Sequence, residues 1–147
     1  LVWRHELLAR LELKTILTDA GLEVWDHDRL SQMPPDEARA TYMAADVGVT
    51  SCDVAVAETG SLLVFSQPGQ ERIASLVTPI HVAVIERRQI VPDLFDAPPW
   101  DKSPDLAHDD IPSNVSIISS PSKTGDIELT LTTGVHGPGK WHVIIIS

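Results

Sequence analysis

The stretch VGVTSCDVAVAETGSLLVFS, residues 47–66, decides the fold class of this chain. Its β-branched and small apolar residues predict three short strands, Val47–Thr50, Asp53–Ala57 and Ser61–Ser66, which Gly48 and Gly60 punctuate. The second segment is almost continuous in small apolar residues, as expected for a strand that is covered on both faces. Such strands are typical of sheets that helices flank.

The pattern of short elements continues after this stretch. Gln67–Gln70 predicts a turn, Arg72–Val77 predicts a short helix that stops at Pro79, and His81–Ile85 predicts another buried strand. Strand and helix patterns therefore alternate, which indicates an α/β fold with a mostly parallel sheet.

The last third of the chain follows the same alternation. Val115–Ser119 predicts a strand, Ser120–Gly125 a polar turn, and Asp126–Thr133 a helix that Gly134 closes. Trp141–Ile146 predicts a final buried strand.

The first part of the chain is predicted to be mainly helical. Residues 3–20 have apolar side chains at helical spacing, with a phase slip near Leu13 that indicates a kink, two helices or missing intervening chain. Gly21 is a plausible C-terminal stop, Leu22–Trp25 predicts a short strand, and a further helix is expected after Pro34–Pro35.

A chain of 147 residues has the length of one domain. We expect a single domain over residues 1–147, with a helical part at about 1–45 and a core at about 46–147. Residues 92–114 differ from the rest, because five prolines and six aspartates in this stretch predict a long irregular acidic loop. Such a loop is either a functional lid or a solvated connection.

Charge and composition narrow the range of partners. Eleven Lys and Arg against 21 Asp and Glu give a net charge of −10, which disfavours binding to nucleic acids and to anionic membranes. The longest aliphatic run, Val143–Ile146, is too short to span a membrane, and no secretion leader is visible. The single cysteine, Cys52, excludes a disulfide framework and fits a reducing compartment, so we expect a cytoplasmic protein.

The first candidate site is the turn at residues 57–61. Glu58 follows a predicted strand, where open α/β sheets place their sites, and could act as a nucleophile or general base. Gly60 would let the backbone approach a ligand closely or adopt a positive φ, and Thr59 precedes it as a candidate binding residue. The alternative is a hairpin turn in which the glutamate caps local amides.

The second candidate site is a polar segment between a predicted strand and a predicted helix. Its residues are Ser122, Lys123, Thr124, Gly125 and Asp126. Consecutive amides at a turn and a helix start bind anions, and the lysine adds a positive charge. The alternative is a simple helix cap, since no Walker A or dinucleotide fingerprint is present.

The third candidate site is the loop His136–Gly139. A histidine between glycine and proline residues is held with little entropy, which suits a general acid or base, although a structural turn is the alternative. His81 lies inside an apolar strand and is predicted to be a satisfied core histidine. No pair of histidines has metal-ligand spacing, so we expect no metal site.

Taken together, these motifs resemble one known family. The segments that carry the resemblance are Val47–Thr50, Ala57–Ser61, Ser75–Leu76 with Pro79 and His81, Pro121–Glu128, and Gly134–Gly139. In this order they resemble the LUD domain, the lactate utilization protein C family, over about residues 45–147. The resemblance implies a three-layer, Rossmann-like α/β fold, like that of the NagB and RpiA sugar-phosphate isomerases and the CoA transferases.

The resemblance also implies a function. Members of the family act with iron–sulfur proteins in the oxidation of L-lactate to pyruvate. A chain with one cysteine cannot hold a four-cysteine cluster, so no cofactor is expected in this chain and iron–sulfur clusters are expected in its partners. We therefore predict an accessory subunit that binds a small carboxylate or phosphate.

Two other functions remain open at this stage. The chain could be an enzyme of the CoA-transferase or isomerase type with Glu58 as its nucleophile, or a scaffold without a catalytic role. Both the accessory role and the enzymatic role predict one shared pocket. In that pocket Thr59 and Gly60 lie beside residues 122–125, Lys123 supplies the positive charge, and Glu58 or His136 handles protons.

Overall fold

The computed structural model of the chain describes residues 1–97, 114–121, 123–125, 131–133 and 137–147. Its helices are α1 (Glu6–Arg10), α2 (Leu13–Asp19), α3 (His27–Leu30), α4 (Pro35–Ala44) and α5 (Ile73–Leu76). Its strands are β1 (Val47–Thr50), β2 (Val54–Val56), β3 (Ser61–Phe65), β4 (Ile80–Glu86), β5 (Ile90–Val91), β6 (Val115–Ile118), β7 (Lys123–Gly125), β8 (Leu131–Thr133) and β9 (Lys140–Ile146).

Two sheets and a small ribbon organise these strands. The first sheet has the order β1-β4-β9 and is parallel throughout, with Val47 opposite Ile80 and Ile80 opposite Lys140. The second has the order β5-β2-β3-β6 and is mixed, while β7 and β8 form a separate antiparallel pair. The predicted α/β class is confirmed. Parallel pairing occurs in the first sheet, between β2 and β5, and at an isolated bridge between Val2 and Val49.

One apolar cluster joins the N-terminal segment, α5 and both sheets. Its buried members are Val2, Trp3, Leu7, Leu8, Val24, Val49, Cys52, Ala55, Leu62, Val64, Ala74, Ala83, Val84 and Ile85. The two sheets, α1 and α5 therefore pack around a shared core.

The phase slip in the N-terminal pattern marks a break between two helices. Glu12 adopts the left-handed conformation (φ 51°) between α1 and α2, so the apolar face changes direction there. Leu7 and Leu8 of α1 are buried, whereas Trp3 precedes the helix, and its backbone N–H donates to the carbonyl of Val49. Gly21, at φ 83°, follows α2 as predicted.

Three predictions of secondary structure are wrong. Leu22–Trp25 forms no strand, although the Trp25 carbonyl accepts a hydrogen bond from the Val2 N–H. The predicted turn Ser120–Gly125 ends in β7, and the predicted helix Asp126–Thr133 contains β8, since 123–125 pair with 131–133. Threonine-rich sequence favours strands once a pairing partner is available.

The final strand forms as predicted but is not buried. Val143, Ile144 and Ile145 on β9 are 37%, 49% and 58% exposed. These residues lie on an outer strand of the parallel sheet. The run of aliphatic residues therefore predicted the strand correctly, but the predicted burial is wrong.

The acidic loop begins in an anchored turn. The Asp93 carboxylate accepts hydrogen bonds from the N–H groups of Phe95 and Asp96, and Ala97 is fully buried beside Val54. Residues 98–113 of the predicted loop lie outside the described residues. Among the described ranges, no helix is long and apolar enough to cross a membrane.

Helix α5 lies in direct contact with β1. A Cβ atom added to Gly48 would lie 1.7 Å from the carbonyl oxygen of Ala74 and 2.9 Å from Thr78 Oγ1. The first of these contacts is to backbone, so no side-chain rotation can relieve it. Only glycine at this position allows the helix and the strand to approach so closely.

Gly48→Ala should therefore destabilise the protein by about 3 kcal/mol, near the upper end of overpacking effects. The measurement is urea unfolding followed by tryptophan fluorescence. Gly139→Ala is the matched control, because no atom lies within 4 Å of the Cβ it would add. Equal stability of the two variants would contradict the close contact between α5 and β1.

Candidate functional site

The turn that contains Glu58 is a hairpin connection. It joins antiparallel strands β2 and β3, with Val56 opposite Ser61, and Gly60 has a positive φ of 66°. The Glu58 N–H donates to the Pro92 carbonyl, and the side chain is exposed. Within the described part of the chain, the Glu58 carboxylate accepts no hydrogen bond, so the capping alternative gains no support.

A short chain of hydroxyl groups leads away from this turn. Thr59 Oγ1 lies 2.7 Å from Ser61 Oγ, which lies 2.8 Å from Ser119 Oγ. Ser61 and Ser119 are brought together because β3 and β6 are antiparallel neighbours. The hydroxyl chain therefore connects the turn of the first candidate site to the segment that leads into the second.

The segment after Ser119 forms one wall of a small cavity. The cavity measures about 110 Å³, and its other walls come from α5, β4 and the loop before β9. Its lining residues are Leu76, His81, Ser120, Pro121, Gly137, Pro138 and Trp141. Residues next to the second and third candidate sites thus share one cavity.

His81 is the buried polar group of this cavity. Its side chain is 1% exposed, and Nε2 lies 2.8 Å from Thr50 Oγ1, so the prediction of a satisfied core histidine is confirmed. Burial lowers the pKa of the imidazole from 6.5 to about 4. His81 is therefore neutral at physiological pH and can take part in hydrogen bonds without carrying charge.

Trp141 faces His81 across the parallel pairing of β4 and β9. Its indole Nε1 is buried and has no hydrogen-bond partner among the described residues. A buried donor without a partner costs free energy. No local sequence pattern predicts this group, because its position depends on the pairing of two residues that lie 60 positions apart in the chain.

The structure describes only some of the residues of the second and third candidate sites. The backbone of Lys123, Thr124 and Gly125 forms β7, so the helix start that motivated the anion-binding prediction is absent at these three residues. Ser122, Asp126 and His136 lie outside the described residues. The convergence of the three candidate sites in one pocket stays a prediction, and the cavity shows only that their flanking residues meet.

Cys52 is a core residue. Its side chain is 1% exposed, and burial raises the pKa of the thiol to about 12. A thiol that stays protonated is neither a nucleophile nor a metal ligand. Among the residues that the structure describes, no group of three His, Cys, Asp or Glu side chains is placed to hold a metal ion.

Comparisons with known proteins agree on one family. The model of the LUD domain matches residues 4–146. "Lactate utilization protein C" of Bacillus licheniformis is 33% identical over 92% of this chain and 57% of its own length. The protein of the same name from Shouchella clausii is 31% identical over 100% of this chain and 62% of its own length. The chain thus spans little more than half the length of these curated relatives.

A solved structure also matches. The DUF162 family protein from Deinococcus radiodurans has a TM-score of 0.45 at 23% sequence identity, with 74% of this chain and 57% of that chain covered. The family match extends further toward the N-terminus than the motifs at residues 45–147 alone.

Burial of His81 makes stability depend on pH. The unfolded chain binds a proton at this imidazole below about pH 6.5, but the folded protein does so only below about pH 4. The neutral, buried imidazole therefore makes its full contribution to the free energy of unfolding above pH 6.5. This contribution, about 3 kcal/mol, is lost as the pH falls toward 4.

We expect His81→Gln to flatten this dependence in urea unfolding measured across the same pH range. Thr50→Val is the control: it removes the hydrogen bond but leaves the imidazole buried, so it lowers stability without flattening the pH profile. An unchanged pH profile in His81→Gln would contradict the burial effect.

Proposed function

This chain belongs to the LUD domain family, and we propose from that membership that it is an accessory subunit in the oxidation of L-lactate to pyruvate. It acts with iron–sulfur partner proteins in the cytoplasm and binds a small anionic ligand. The observation that carries the proposal is the family match over residues 4–146, together with relatives named for lactate utilization.

The chemistry of the chain supports a role in binding, with electron transfer carried out by partner proteins. Cys52 is the only cysteine and is buried with its pKa raised to about 12, so this chain does not fit an iron–sulfur cluster. Electron transfer then belongs to clusters held by partner cysteines. The role left to this chain is to bind the ligand and the partner.

The small cavity supports a role in ligand binding. Its walls include Trp141, Ser120 and the neutral His81 imidazole. Polar groups around a small space favour a carboxylate even in a protein of net charge −10, because nearby groups outweigh distant charges. The same net charge disfavours nucleic acids and anionic membranes as partners.

One face of β9 supports association with a partner. Val143 and Ile145 are exposed on the same face of this outer strand, because alternate residues of a strand point the same way, whereas Ile144 points to the other face. Apolar surface of this kind is commonly covered in protein assemblies.

The test is capture of the tagged, full-length protein from cells that grow on L-lactate, followed by mass spectrometry and absorbance of the bound clusters. We expect iron–sulfur proteins to co-purify with the wild type. Ile145→Lys should reduce their recovery about tenfold, because it places a charge in the apolar face. Met43→Lys, at a 65% exposed position on α4, is the matched control and should retain them.

Calorimetry with L-lactate and pyruvate completes this test. Capture of no iron–sulfur protein, together with no heat from either acid, would overturn the proposed function. Loss of partners in both variants would show that the β9 face has no special role.

The enzymatic alternative rests on the exposed carboxylate of Glu58 in the hairpin turn. If Glu58 forms an acyl intermediate, Glu58→Gln should lower CoA-transfer turnover by at least about a hundredfold with the fold unchanged, since an amide cannot replace the nucleophile. Glu58→Asp is the control that keeps the charge. The accessory role expects no CoA-transfer turnover in the wild type, measured as thioester formation with acetate or lactate as acceptor.

A further inference from the structure

The outer side of β9 is a long and regular sheet edge. All seven of its residues pair with β4 on the inner side, from Lys140 opposite Ile80 to Ile146 opposite Glu86. On the outer side, residues 141–146 make no backbone hydrogen bond to any residue that the structure describes. The unbroken register leaves no bulge, so the outer N–H and C=O groups form an even row that another strand could continue.

The other edges of the two sheets are short or already occupied. Strand β5 has two residues and β6 has four. The outer side of β1 is occupied by residues 1–3, because the Val49 N–H donates to the Leu1 carbonyl and the Trp3 N–H donates to the Val49 carbonyl. Short strands, prolines, bulges and charges prevent edge pairing in natural proteins. Strand β9 is long and has no proline, and its single lysine, Lys140, is at its first position.

Both faces of β9 are also uncovered in the described part of the chain. Val143 and Ile145 are exposed on one face and Ile144 on the other, and none of the three belongs to the apolar core cluster. Strands of parallel sheets usually bury both faces. A neighbouring strand would therefore supply apolar contacts to these side chains as well as hydrogen bonds to the backbone.

We propose that β9 pairs with β9 of a second copy of this chain, in an antiparallel, two-fold symmetric dimer centred on Val143. The pairing joins two three-stranded sheets, each of order β1-β4-β9, into one continuous sheet. This inference goes beyond the proposed function and does not rest on it, because it concerns the association of the chain with itself.

The residues on one face of β9 are self-complementary in this arrangement. With Val143 on the two-fold axis, Trp141 lies opposite Ile145 of the second copy, and Val143 lies opposite its own copy. Every cross-strand pair on this face is therefore apolar, and aromatic residues opposite β-branched residues stabilise antiparallel strands. Trp141 also lines the 110 Å³ cavity, so the second copy adds an aliphatic side chain beside the wall of that cavity.

The charges along β9 favour the antiparallel orientation. Antiparallel pairing places Lys140 opposite Ile146 of the second copy, so the two lysines lie at opposite ends of the interface. Parallel pairing in register would place each lysine beside its copy, and adjacent like charges are destabilising. The strand contains no Asp or Glu, so the acidic residues responsible for the net charge of −10 lie elsewhere.

Sedimentation velocity of the purified full-length protein, over a range of concentrations, tests the proposal. We expect a species of twice the monomer mass as the concentration rises. Val143→Lys should weaken dimerisation at least about tenfold, because symmetry places the two introduced lysines opposite each other. Ile117→Lys is the matched control and should leave the dimer unchanged, since Ile117 is 49% exposed on β6, an outer strand of the other sheet.

A mixture of two variants separates loss of pairing from loss of folding. Val143→Glu alone should also be monomeric, whereas equal amounts of Val143→Lys and Val143→Glu should restore the dimer, because opposite charges then meet on the axis. Val143→Cys should form a disulfide-linked dimer under mild oxidation. Cys52 is buried and does not compete for this disulfide.

The results distinguish the second copy from other occupants of the edge. A monomer at every concentration would overturn the inference, and capture of iron–sulfur proteins by that monomer would assign β9 to those proteins instead. A dimer that Val143→Lys leaves intact, or a mixture of the two charged variants that stays monomeric, would overturn pairing about Val143. Dimerisation of the pure protein that captures no iron–sulfur partner would support the inference and count against the accessory role.

Discussion

The contact between α5 and β1 is the constraint on which the small cavity depends. The strand carries glycine at residue 48, and the backbone of Ala74 occupies the space that any larger residue would need. This contact holds the four-residue helix against the parallel sheet, where Thr78 Oγ1 lies within 3.0 Å of the Ala74 and Ile80 carbonyl oxygens. Leu76, at the end of the same helix, is thereby fixed in the wall of the cavity. A missing Cβ in one strand thus determines the shape of the surface around Leu76.

The buried polar groups fall into two classes, those with a hydrogen-bond partner and those without one. Thr50 and His81 satisfy each other inside the core, and Cys52 behaves as a small apolar residue. Ser66 and Trp141 are different, since each holds a buried polar atom with no partner in the described part of the chain. Both of these residues line cavities, but the polar atoms themselves are shielded from solvent, so the cost of their burial is not offset by water.

The local sequence predicted most of the strands and helices around the sheet, but it did not predict which of them are buried. Residues 47–66 predicted β1, β2 and β3 because alternation and glycine spacing are local properties, and Pro34–Pro35 predicted the start of α4 for the same reason. Residues 131–133 were predicted as helix but pair with β7, because a strand partner outweighs helical spacing in a threonine-rich segment. Pro121 and Gly137, which lie beside or within the candidate motifs, line the 110 Å³ cavity. The cavity itself depends on long-range pairing, which no local pattern contains.

The pairing of β4 with β9 has a consequence for folding during synthesis on the ribosome. Seven residues of β4 find their partners only at residues 140–146, long after β1 and β4 themselves have been made. Until then one edge of β4 is an open template with a run of aliphatic side chains, and such edges recruit other chains. Completion of the sheet therefore waits until residues 140–146 have been made, and during that interval the open edge of β4 is exposed to pairing with other chains.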